Sequence, residues 1–588
     1  MNLSESLFDG LSTLGVDYCA CVSGGGIMYL LDAVGRNSKI NTQFFHHEQS
    51  AGIAAEAYSK AKTIPSVCLV TIGPGVANAV SAAFSAFVNS VPVIFISGAK
   101  RSNVSTDYRK ERFTFPQDAD TKSIVSGVTK GFWELTNADQ LESILIDAVD
   151  LAKSGRPGPV WLSIPLDVQG FNLAGSNGIS VKIPTKNTVD VRAKLEKFIK
   201  ESHRTVVLTG DGVNCILDTI DFQSFIKKIG LPCITSIGSN HTIIEADSLN
   251  LGIFGPVGRR AANIALTEAD SIIALGTGLD IDLTGFDRKS FFENKKLLSI
   301  NSDPQLEFSE VKNLTKITAD MREIDFFGLS TIQHSQSSWV EVCKELNKLL
   351  SVEFEIAHHN NDGCDGVDPY LFAQELGLHL PQMSAVVVGI SLDAVSISHS
   401  IKLKTTQRLY ISKHCGQLGW ELPACVGIAH SKICNRVVCV TGDGSFMFNL
   451  QDLTTLSRTE LPVNIFMYDN AGYNSIRTSQ AAHLDSRFFG STLADLTFPK
   501  WSALAESFGF DFFEIDSNDE IDSKIDRSLM SDKSISIIKI HPNRSRTPRL
   551  VSKIVDGKFQ SPRLSEQFPY LENNMQNLIN SLLKKCND

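Results

Sequence analysis

The sequence has no long apolar run, no closely spaced cysteine pair of the metal-binding kind and no excess of positive charge. No apolar stretch approaches the ~20 residues of a membrane-spanning helix, which argues against that class of protein. The formal net charge of −10 argues against nucleic acid or an anionic membrane as the main partner. The closest cysteines, Cys19 and Cys21, lack the Cys-x-x-Cys spacing of a zinc or redox site.

The beginning of the chain also lacks the features of an export signal. The first basic residue is Arg36, so no charged segment precedes an apolar one. We therefore expect no secretory signal, and we expect the thiols to be reduced and mostly buried. These features predict a cytoplasmic protein.

The 588 residues are enough for about three or four globular domains. Short apolar runs such as Tyr18–Val22, Val91–Ser97 and Thr205–Leu208 alternate with stretches of helical spacing. This alternation predicts an α/β fold of three doubly wound parallel-sheet domains. The predicted boundaries are an N-terminal domain at 1–180, a central domain at 188–333, a C-terminal domain at 366–550 and a tail at 551–588. Polar stretches at 173–187 and 357–368 are predicted to be exposed linkers.

Two polar motifs follow neighbouring predicted strands in the C-terminal domain. A Gly-Asp-Gly motif centred on Asp443 follows the apolar run Arg436–Thr441, and Asn470 follows the run Val463–Tyr468. Between these runs, Asn449–Thr459 has helical spacing, which completes a predicted βαβ unit. Because the carboxyl ends of parallel strands meet at one edge of a sheet, we expect the two motifs to lie together there.

The residue types in these motifs are suited to a metal-bound diphosphate. Asp443, Asn470 and a loop carbonyl near Gly472 offer oxygen ligands for a hard cation such as Mg²⁺. Gly442 and Gly444 let the backbone approach a diphosphate closely. A simple tight turn is the alternative interpretation of the Gly-Asp-Gly motif alone.

The two motifs together resemble the signature of thiamine-diphosphate enzymes, in which an Asn follows Gly-Asp-Gly at about this distance. Twenty-seven residues separate Asp443 from Asn470. The resemblance implies thiamine diphosphate and Mg²⁺ as cofactors, with Asp443, Asn470 and Gly472 as the metal ligands. It also implies that residues beside them contact the cofactor, namely Gly442, Gly444, Ser445 and Tyr473.

Glu48 stands before an alanine-rich stretch, and a helix is predicted over Glu48–Ala61. A carboxylate at this position stabilises the helix dipole, which is the purely structural interpretation. The segment is similar to the His-Glu-Gln-x-Ala segment of acetohydroxyacid synthases. The resemblance implies a catalytic role, in which Glu48 hydrogen-bonds N1′ of the aminopyrimidine and promotes loss of the proton from C2 of the thiazolium.

Other N-terminal residues resemble loops of the same enzymes. Ser23 and Gly25 lie in a segment similar to their Pro-Gly-Gly loop, with Ser23 in place of the proline. Gly73 belongs to a Thr-x-Gly-Pro-Gly segment that is expected to line the substrate side, although a structural turn is the alternative. Gln117 aligns with a substrate-side glutamine of those enzymes, but Pro116 stands where they have phenylalanine.

The segment Gly416-Gln417-Leu418 is similar to the part of these enzymes that contacts the aminopyrimidine. The resemblance implies that the Gly416 carbonyl accepts a hydrogen bond from the 4′-amino group. It also implies that Gln417 contacts the cofactor and that Leu418 bends it into a V shape, which brings its reacting groups together. An ordinary core position is the alternative for Leu418.

Ile476 separates two subfamilies of the resembling enzymes. Pyruvate decarboxylases have a glutamate six residues after the metal-binding asparagine, whereas acetohydroxyacid synthases have an apolar residue. Ile476 occupies this position and cannot deliver a proton to the reacting carbon. It therefore favours ligation of the activated unit to a second carbonyl over simple decarboxylation.

The central domain resembles the flavin-binding domain of acetohydroxyacid synthases in the segments 255–263 and 275–282. Gly278 and Asp282 stand where those enzymes have arginines. Loss of these cationic donors weakens the binding of a diphosphate. Bound FAD and a vacant groove are therefore both left open.

The resemblance extends from Leu11 to about Leu571, where the C-terminal segment looks like that of acetolactate-synthase-like proteins. It predicts decarboxylation of a 2-oxo acid, with pyruvate as the leading candidate, and ligation of the activated aldehyde to a carbonyl acceptor. The alternatives are transfer to a keto-sugar in surface-polysaccharide biosynthesis, simple decarboxylation, and a non-catalytic cofactor-binding subunit. By the same resemblance, the cofactor lies between subunits of a homodimer or homotetramer.

Overall fold

Apolar runs bounded by glycine, proline and polar residues form three parallel sheets in a computed structural model of the chain. The structure describes residues 1–173, 188–217, 219–243, 249–285, 287–359, 365–541, 544, 548–556, 558–560 and 562–586. Each of the three sheets has six strands, and all their strand pairs are parallel. The predicted α/β fold of three doubly wound parallel-sheet domains is confirmed.

The first domain is buried on both faces of its sheet. Its strands are β1 (Tyr18–Cys21), β2 (Asn41–Phe44), β3 (Ser66–Val70), β4 (Val93–Ala99), β5 (Phe132–Glu134) and β6 (Val160–Pro165). Its helices are α1 (Leu3–Thr13), α2 (Met28–Arg36), α3 (Glu48–Lys62), α4 (Pro74–Val88), α5 (Thr121–Val125), α6 (Leu141–Lys153) and α7 (Leu166–Gln169). The strand order is β2-β1-β3-β4-β6-β5. Tyr18 enters one apolar core and its neighbour Cys19 the other, as expected of a sheet covered by helices on both sides.

The second domain has a different strand order. Its strands are β7 (Thr205–Thr209), β8 (Cys233–Thr235), β9 (Asn250–Ile253), β10 (Ser271–Leu275), β11 (Lys296–Asn301) and β12 (Asn313–Thr318). Its helices are α8 (Arg192–Lys200), α9 (Ile220–Ile229), α10 (Arg260–Glu268), α11 (Ile281–Thr284), α12 (Arg288–Phe292), α13 (Phe326–Leu329), α14 (Ser337–Leu349) and α15 (Val352–His359). The order β12-β11-β10-β7-β8-β9 is that of dinucleotide-binding folds, with its switch point between β7 and β10.

The third domain repeats the topology of the first. Its strands are β13 (Ser384–Val388), β14 (Arg408–Tyr410), β15 (Arg436–Gly442), β16 (Val463–Asp469), β17 (Asp511–Ile515) and β18 (Lys533–Lys539). Its helices are α16 (Pro369–His379), α17 (Leu392–Ser400), α18 (Glu421–Ser431), α19 (Asp443–Phe446), α20 (Asp452–Leu456), α21 (Asn474–His483), α22 (Trp501–Phe508) and α23 (Ile521–Met530). The order β14-β13-β15-β16-β18-β17 reverses between β13 and β15, which is where such sheets bind ligands.

The C-terminal tail packs onto the second domain. It contains β20 (Lys553–Val555), β21 (Lys558–Gln560), β22 (Gln567–Phe568) and α24 (Asn573–Lys584), and β19 (Arg549–Leu550) directly precedes it. Leu564, Ile579 and Leu582 are buried in the same core as Leu346 of α14. None of the helices in the described ranges combines the length and apolar character that a membrane crossing needs.

Helices α3 and α18 join the first and third domains through very close packing. A Cβ on Gly427 of α18 would lie 2.1 Å from the carbonyl oxygen of Ala54 of α3, so only glycine fits there. The buried carboxyl group of Glu56 on α3 accepts a hydrogen bond from the Trp420 indole at 3.2 Å. This packing fixes how the two domains sit against each other.

Some predicted elements differ from those in the structure. The strand predicted over Val91–Ser97 is β4, Val93–Ala99, because Pro92 has no N–H to donate to a neighbouring strand. The helix predicted over Asn449–Thr459 is shorter, and only α20 is an α-helix within it. The predicted linker at 357–368 begins inside α15, which ends at His359. Residues 174–187 of the other predicted linker lie outside the described residues.

Candidate active site

The carboxyl ends of β15 and β16 bring the two polar motifs together. These strands pair in parallel with Gly442 opposite Tyr468, so Asp443 and Asn470 follow at the same sheet edge. Oδ1 of Asp443 accepts a hydrogen bond from the Gly444 amide at 2.7 Å, and Oδ2 accepts one from the Gly472 amide at 2.8 Å. The backbone therefore fixes the orientation of the carboxyl group of Asp443.

The environment of Asp443 is suited to a bound cation. Burial raises the pKa of Asp443 to about 7, the hydrogen bond from Gly472 opposes this shift, and the negative charge of Asp469 adds to it. Hydrogen bonds hold this carboxyl group in place, but burial makes its ionisation costly. A positive ion beside it therefore strongly stabilises the ionised form. The Asp443 side chain is therefore positioned as a metal ligand needs, and a cation beside it would favour its ionised form.

Asn470 adds an oxygen without a partner to the same corner. Its side chain is buried, and its Oδ1 atom accepts no hydrogen bond from the described residues. Leaving such an atom unsatisfied costs about 1–3 kcal/mol, so a ligand there is favoured. An oxygen atom that has no hydrogen-bond donor can coordinate a metal ion, so Asn470 fits a metal site.

Arg477 determines which loop carbonyl is left for a metal ion. Its guanidinium group donates to the carbonyl oxygens of Asn470 at 2.5 Å and Ala471 at 2.6 Å. Among the described residues, no hydrogen bond to the Gly472 carbonyl is seen. Asp443, Asn470 and Gly472 together thus offer a carboxylate, an amide oxygen and a carbonyl, which is a set of ligands that fits Mg²⁺.

A cavity of about 440 Å³ opens at this corner. All of its lining residues come from the third domain, in the loops after β13, β15 and β16 and in the segment before α18. The residues predicted in this domain line it, except Gly416 and Gln417. Leu418 and Ile476 both face the cavity; Leu418 is only partly buried, so it is not an ordinary core residue, and Ile476 is 48% exposed.

Steric or conformational constraints favour glycine at two positions near this cavity. A Cβ on Gly444 would lie 2.3 Å from the ring of Tyr473, so any side chain would displace the ring. Gly416 has φ of +65°, a conformation that residues with a Cβ rarely adopt. The Gly419 amide donates to Oγ of Ser445 at 2.8 Å, which ties the segment around Leu418 to the Gly-Asp-Gly turn.

The predicted residues of the first domain form a separate group. Glu48 is the first residue of α3, and its Oε2 atom accepts a hydrogen bond from Nδ2 of Asn78 at 2.9 Å. Gly73 touches the Gln117 carbonyl, since a Cβ on Gly73 would lie 2.2 Å from that oxygen. Ser23 and Gly25 are exposed on the neighbouring loop after β1.

Among the described residues, the group around Glu48 does not line the cavity at Asp443. Glu48, Gly73 and Gln117 are absent from the walls of the cavity at Asp443. Helix α3 instead buries its length against α18, which leaves Glu48 at its open N-terminal end. In the described part of the chain, Glu48 and Asp443 therefore belong to two separate groups of residues.

Two contributing side chains were not identified from the sequence. Arg477 lies near the beginning of α21, where a positive charge opposes the helix dipole, and that mismatch is the pattern that could have found it. Asn78, which holds Glu48, lies thirty residues away on α4 and gives no comparable pattern.

The crevice of the second domain differs from a typical dinucleotide site at its first strand–helix turn. A cavity of about 360 Å³ lies at its switch point. Dinucleotide folds bind the diphosphate through amides of the first strand–helix turn. Here the Gly210 amide donates a hydrogen bond to the Leu275 carbonyl and the Gly212 amide donates one to the Gly276 carbonyl, both at 2.9 Å. In addition, α9 begins only at Ile220, so no α-helix N-terminus follows β7 directly.

Asp211 adds a negative charge to the same turn. Burial raises the pKa of Asp211, but the positive charges of His414 and Lys60 and a hydrogen bond from Ser236 outweigh it and keep the pKa below its usual value. Asp211 lines the cavity, and the positive charges of His414 and Lys60 beside it offset its negative charge. The amides of Gly210 and Gly212 are thus not available to the diphosphate of FAD, whereas Lys60, Lys153 and Lys413 in the cavity wall carry positive charge that a diphosphate can use.

Comparisons with known proteins agree across all three domains. Residues 1–124 match the model of the thiamine pyrophosphate enzyme N-terminal TPP binding domain, residues 193–324 the central domain, and residues 393–540 the C-terminal TPP binding domain. The chain is 27% identical to the acetolactate synthase isozyme 2 large subunit of Escherichia coli, covering 90% of this chain and 94% of that protein. It is 25% identical to a probable acetolactate synthase large subunit of Methanococcus aeolicus, covering 91% of each.

Proposed function

Since this chain belongs to the thiamine pyrophosphate enzymes and resembles acetolactate synthases, we propose that it decarboxylates pyruvate and joins the two-carbon unit to a carbonyl acceptor. Thiamine diphosphate and Mg²⁺ are the proposed cofactors. The supporting observation is the buried corner at Asp443 and Asn470, whose free amide oxygen and fixed carboxyl group suit a metal-bound diphosphate.

Each group of residues has a distinct proposed task. Asp443, Asn470 and the Gly472 carbonyl hold Mg²⁺, and Gly442, Gly444, Ser445 and Tyr473 border the diphosphate. The Gly416 carbonyl, Gln417 and Leu418 hold the aminopyrimidine and bend the cofactor. Bound thiamine diphosphate supplies a carbon nucleophile for the keto carbon and stabilises the negative charge left when carbon dioxide departs. Glu48 holds and moves the proton at N1′ of the aminopyrimidine.

The separation of these two groups of residues supports a homodimer as the smallest active unit. Glu48 stands at one end of α3, outside the cavity at Asp443. A second copy of the chain can supply Glu48, Ser23, Gly25, Gly73 and Gln117 to that cavity. The proposed assembly is therefore a homodimer, or a tetramer built from two such dimers.

The proposal is tested by carbon dioxide release from pyruvate. We expect release to require both thiamine diphosphate and Mg²⁺, and to be lost when a chelator removes the metal ion. A protein that releases carbon dioxide without either cofactor, or not at all when both are present, would refute the proposal.

The cavity wall at Ile476 supports ligation as the outcome of the reaction. Ile476 lines the cavity and has no proton to donate to a two-carbon unit bound there, which would favour transfer of that unit to a carbonyl acceptor. Pyruvate is the leading acceptor and acetolactate the leading product. Analysis of the products identifies whether pyruvate or a keto-sugar is the acceptor.

Replacing Ile476 with Glu is expected to move the products from ligation toward free acetaldehyde. A carboxylic acid at this position can protonate the carbanion, a step typically worth 10²–10⁴-fold. Because Ile476 is half-exposed, the new carboxyl group stays partly hydrated and the fold is retained. The ratio of acetaldehyde to ligated product is measured by mass spectrometry. Ile476→Leu is the matched control, and an unchanged ratio in Ile476→Glu would refute the role of this position.

We also propose that the protein works without FAD. The amides of Gly210 and Gly212 already donate hydrogen bonds to backbone carbonyls, so they are not available to its diphosphate. We expect the purified protein to show no flavin absorbance and no quenching of FAD fluorescence on titration. Stoichiometric flavin in the purified protein would contradict this expectation.

A further inference from the structure

Three segments of the proposed cofactor site meet at two buried carboxyl groups. Asp393 is the second residue of α17, and Glu421 is the first residue of α18. Their exposed fractions are 2% and 1%. Oδ2 of Asp393 and Oε1 of Glu421 lie 2.1 Å and 2.3 Å from the position of a Cβ on Gly389, so the two oxygens are no further apart than the sum, 4.4 Å.

No side chain of the described residues is seen to bring a positive charge to this pair of carboxyl groups. Within the described ranges, neither Asp393 nor Glu421 forms an ion pair, and no cation is among the main influences on either. Oδ2 of Asp393 accepts no hydrogen bond from the described residues. The titratable groups that interact with the pair are Cys439 and Tyr468, and Asp443 lines the same cavity as Asp393.

Two carboxylates this close in dry surroundings cannot both stay charged. Burial raises the pKa of Asp393 to about 6, and backbone hydrogen bonds, first that of Ser391, oppose the shift. Burial and then the charge of Asp393 raise the pKa of Glu421 to about 7. A single proton between the facing oxygens removes the repulsion and supplies the hydrogen bond that Oδ2 of Asp393 lacks.

The two carboxyl groups hold different segments of the cavity. Oδ1 of Asp393 accepts a hydrogen bond from the Ser391 amide at 3.0 Å, in the loop after β13. Glu421 accepts hydrogen bonds from Oγ of Ser445 at 2.8 and 3.0 Å, beside the Gly-Asp-Gly turn. The same hydroxyl accepts the Gly419 amide at 2.8 Å, next to Leu418. The pair thus connects the three segments that line the cavity.

We propose that Asp393 and Glu421 share one proton and act as positioning residues that hold these three segments together around thiamine diphosphate. Loss of the proton at alkaline pH drives the carboxylates apart and loosens the site. Neither residue is assigned a step in the reaction. The inference rests on the proposed binding of thiamine diphosphate at this cavity.

The sign of the pH effect follows from where the proton is bound. In the folded protein both groups hold protons to a higher pH than their ordinary values of 3.8 and 4.5. The folded state therefore binds more protons than the unfolded chain in this range, and the free energy of unfolding falls as pH rises. The stabilisation is fully present below the ordinary values and is lost as pH rises through about 7.

Glu421→Gln tests the shared proton without using the cofactor. The amide keeps the shape, donates permanently to Asp393 and still accepts from Ser445. Urea unfolding of the whole apoprotein is measured between about pH 5.5 and about pH 8.5. We expect the unmodified protein to lose more stability across this range than Glu421→Gln, and we expect Asp393→Asn to match the latter. If the free energy of unfolding changes equally with pH in all three proteins, the proposal is overturned.

Calorimetric titration with thiamine diphosphate and Mg²⁺ then tests the positioning role. Above about pH 7, the affinity of the unmodified protein should fall relative to that of Glu421→Gln by up to about tenfold per pH unit. Asp443 also titrates here but is common to both proteins, so its effect cancels in the ratio. Glu421→Ala, which cannot hold Ser445, should bind weakly at every pH.

The outcomes separate this inference from the proposed function. Binding of thiamine diphosphate with the same pH dependence in the unmodified protein and Glu421→Gln would overturn the positioning pair alone. No binding of thiamine diphosphate by the unmodified protein at any pH would overturn the proposed function, whatever the unfolding slopes are.

Discussion

Replacement of Glu48 by Gln is expected to lower turnover at least ~100-fold while the protein folds and still binds thiamine diphosphate. The amide side chain keeps the size of Glu48 and still accepts the hydrogen bond from Asn78. It cannot give up or take a proton, which is the task proposed for this carboxyl group. The turnover number is measured from carbon dioxide release, and binding from calorimetry.

Glu56→Gln is the matched control for this variant. Glu56 lies two turns further along α3, where its carboxyl group is buried against Ser85, Asn89 and Trp420. Its replacement is expected to change the stability of the α3–α18 contact more than the turnover number. Near-normal turnover in Glu48→Gln, with thiamine diphosphate bound, would show that Glu48 does not move the proton.

Asp443→Ala is expected to raise the Mg²⁺ concentration needed for half-maximal thiamine diphosphate binding by at least ~100-fold. The change removes a charged metal ligand, and even partners outside the ligand shell are worth about 10–100-fold in metal affinity. It also removes the acceptor of the Gly472 amide, so the loop that carries Asn470 loses an anchor. Fluorescence titration with thiamine diphosphate at a series of Mg²⁺ concentrations measures the effect.

Asp469→Asn is the control for charge alone. Asp469 belongs to the same corner, and its Oδ1 atom accepts the Ala471 amide at 3.1 Å, which an Asn side chain can also do. We expect only a small change in the Mg²⁺ requirement of this variant. The assignment of Asp443 as a ligand fails if Asp443→Ala and Asp469→Asn need the same Mg²⁺ concentration.

The domains and strands were largely predictable because they depend on local patterns. Apolar runs of strand length, each followed by glycine or polar residues, predict parallel strands buried on both faces. Asp443 and Asn470 were predicted to meet because parallel strands bring their carboxyl ends to one edge, and the register of β15 and β16 places them there. In both cases the spacing in the sequence carries the information.

The contacts that complete the candidate site could not be read from the sequence. Asp393 and Glu421 are 28 residues apart, and their proximity depends on how α17 and α18 pack around Gly389. The hydrogen bonds of Arg477 to the loop after β16 depend on a positive φ at Ala471. The crossing of α3 and α18 sets the separation of Glu48 from Asp443. These are tertiary features, and local propensity does not specify them.

The central claim is that this protein ligates the activated two-carbon unit rather than releasing it. The most direct measurement is to incubate the purified protein with isotopically labelled pyruvate, thiamine diphosphate and Mg²⁺, with and without a keto-sugar, and to quantify every labelled product by mass spectrometry. The account predicts that ligated product accounts for most of the carbon dioxide released and that acetaldehyde is minor. Acetaldehyde released in a one-to-one ratio with carbon dioxide, even with acceptors present, would contradict it.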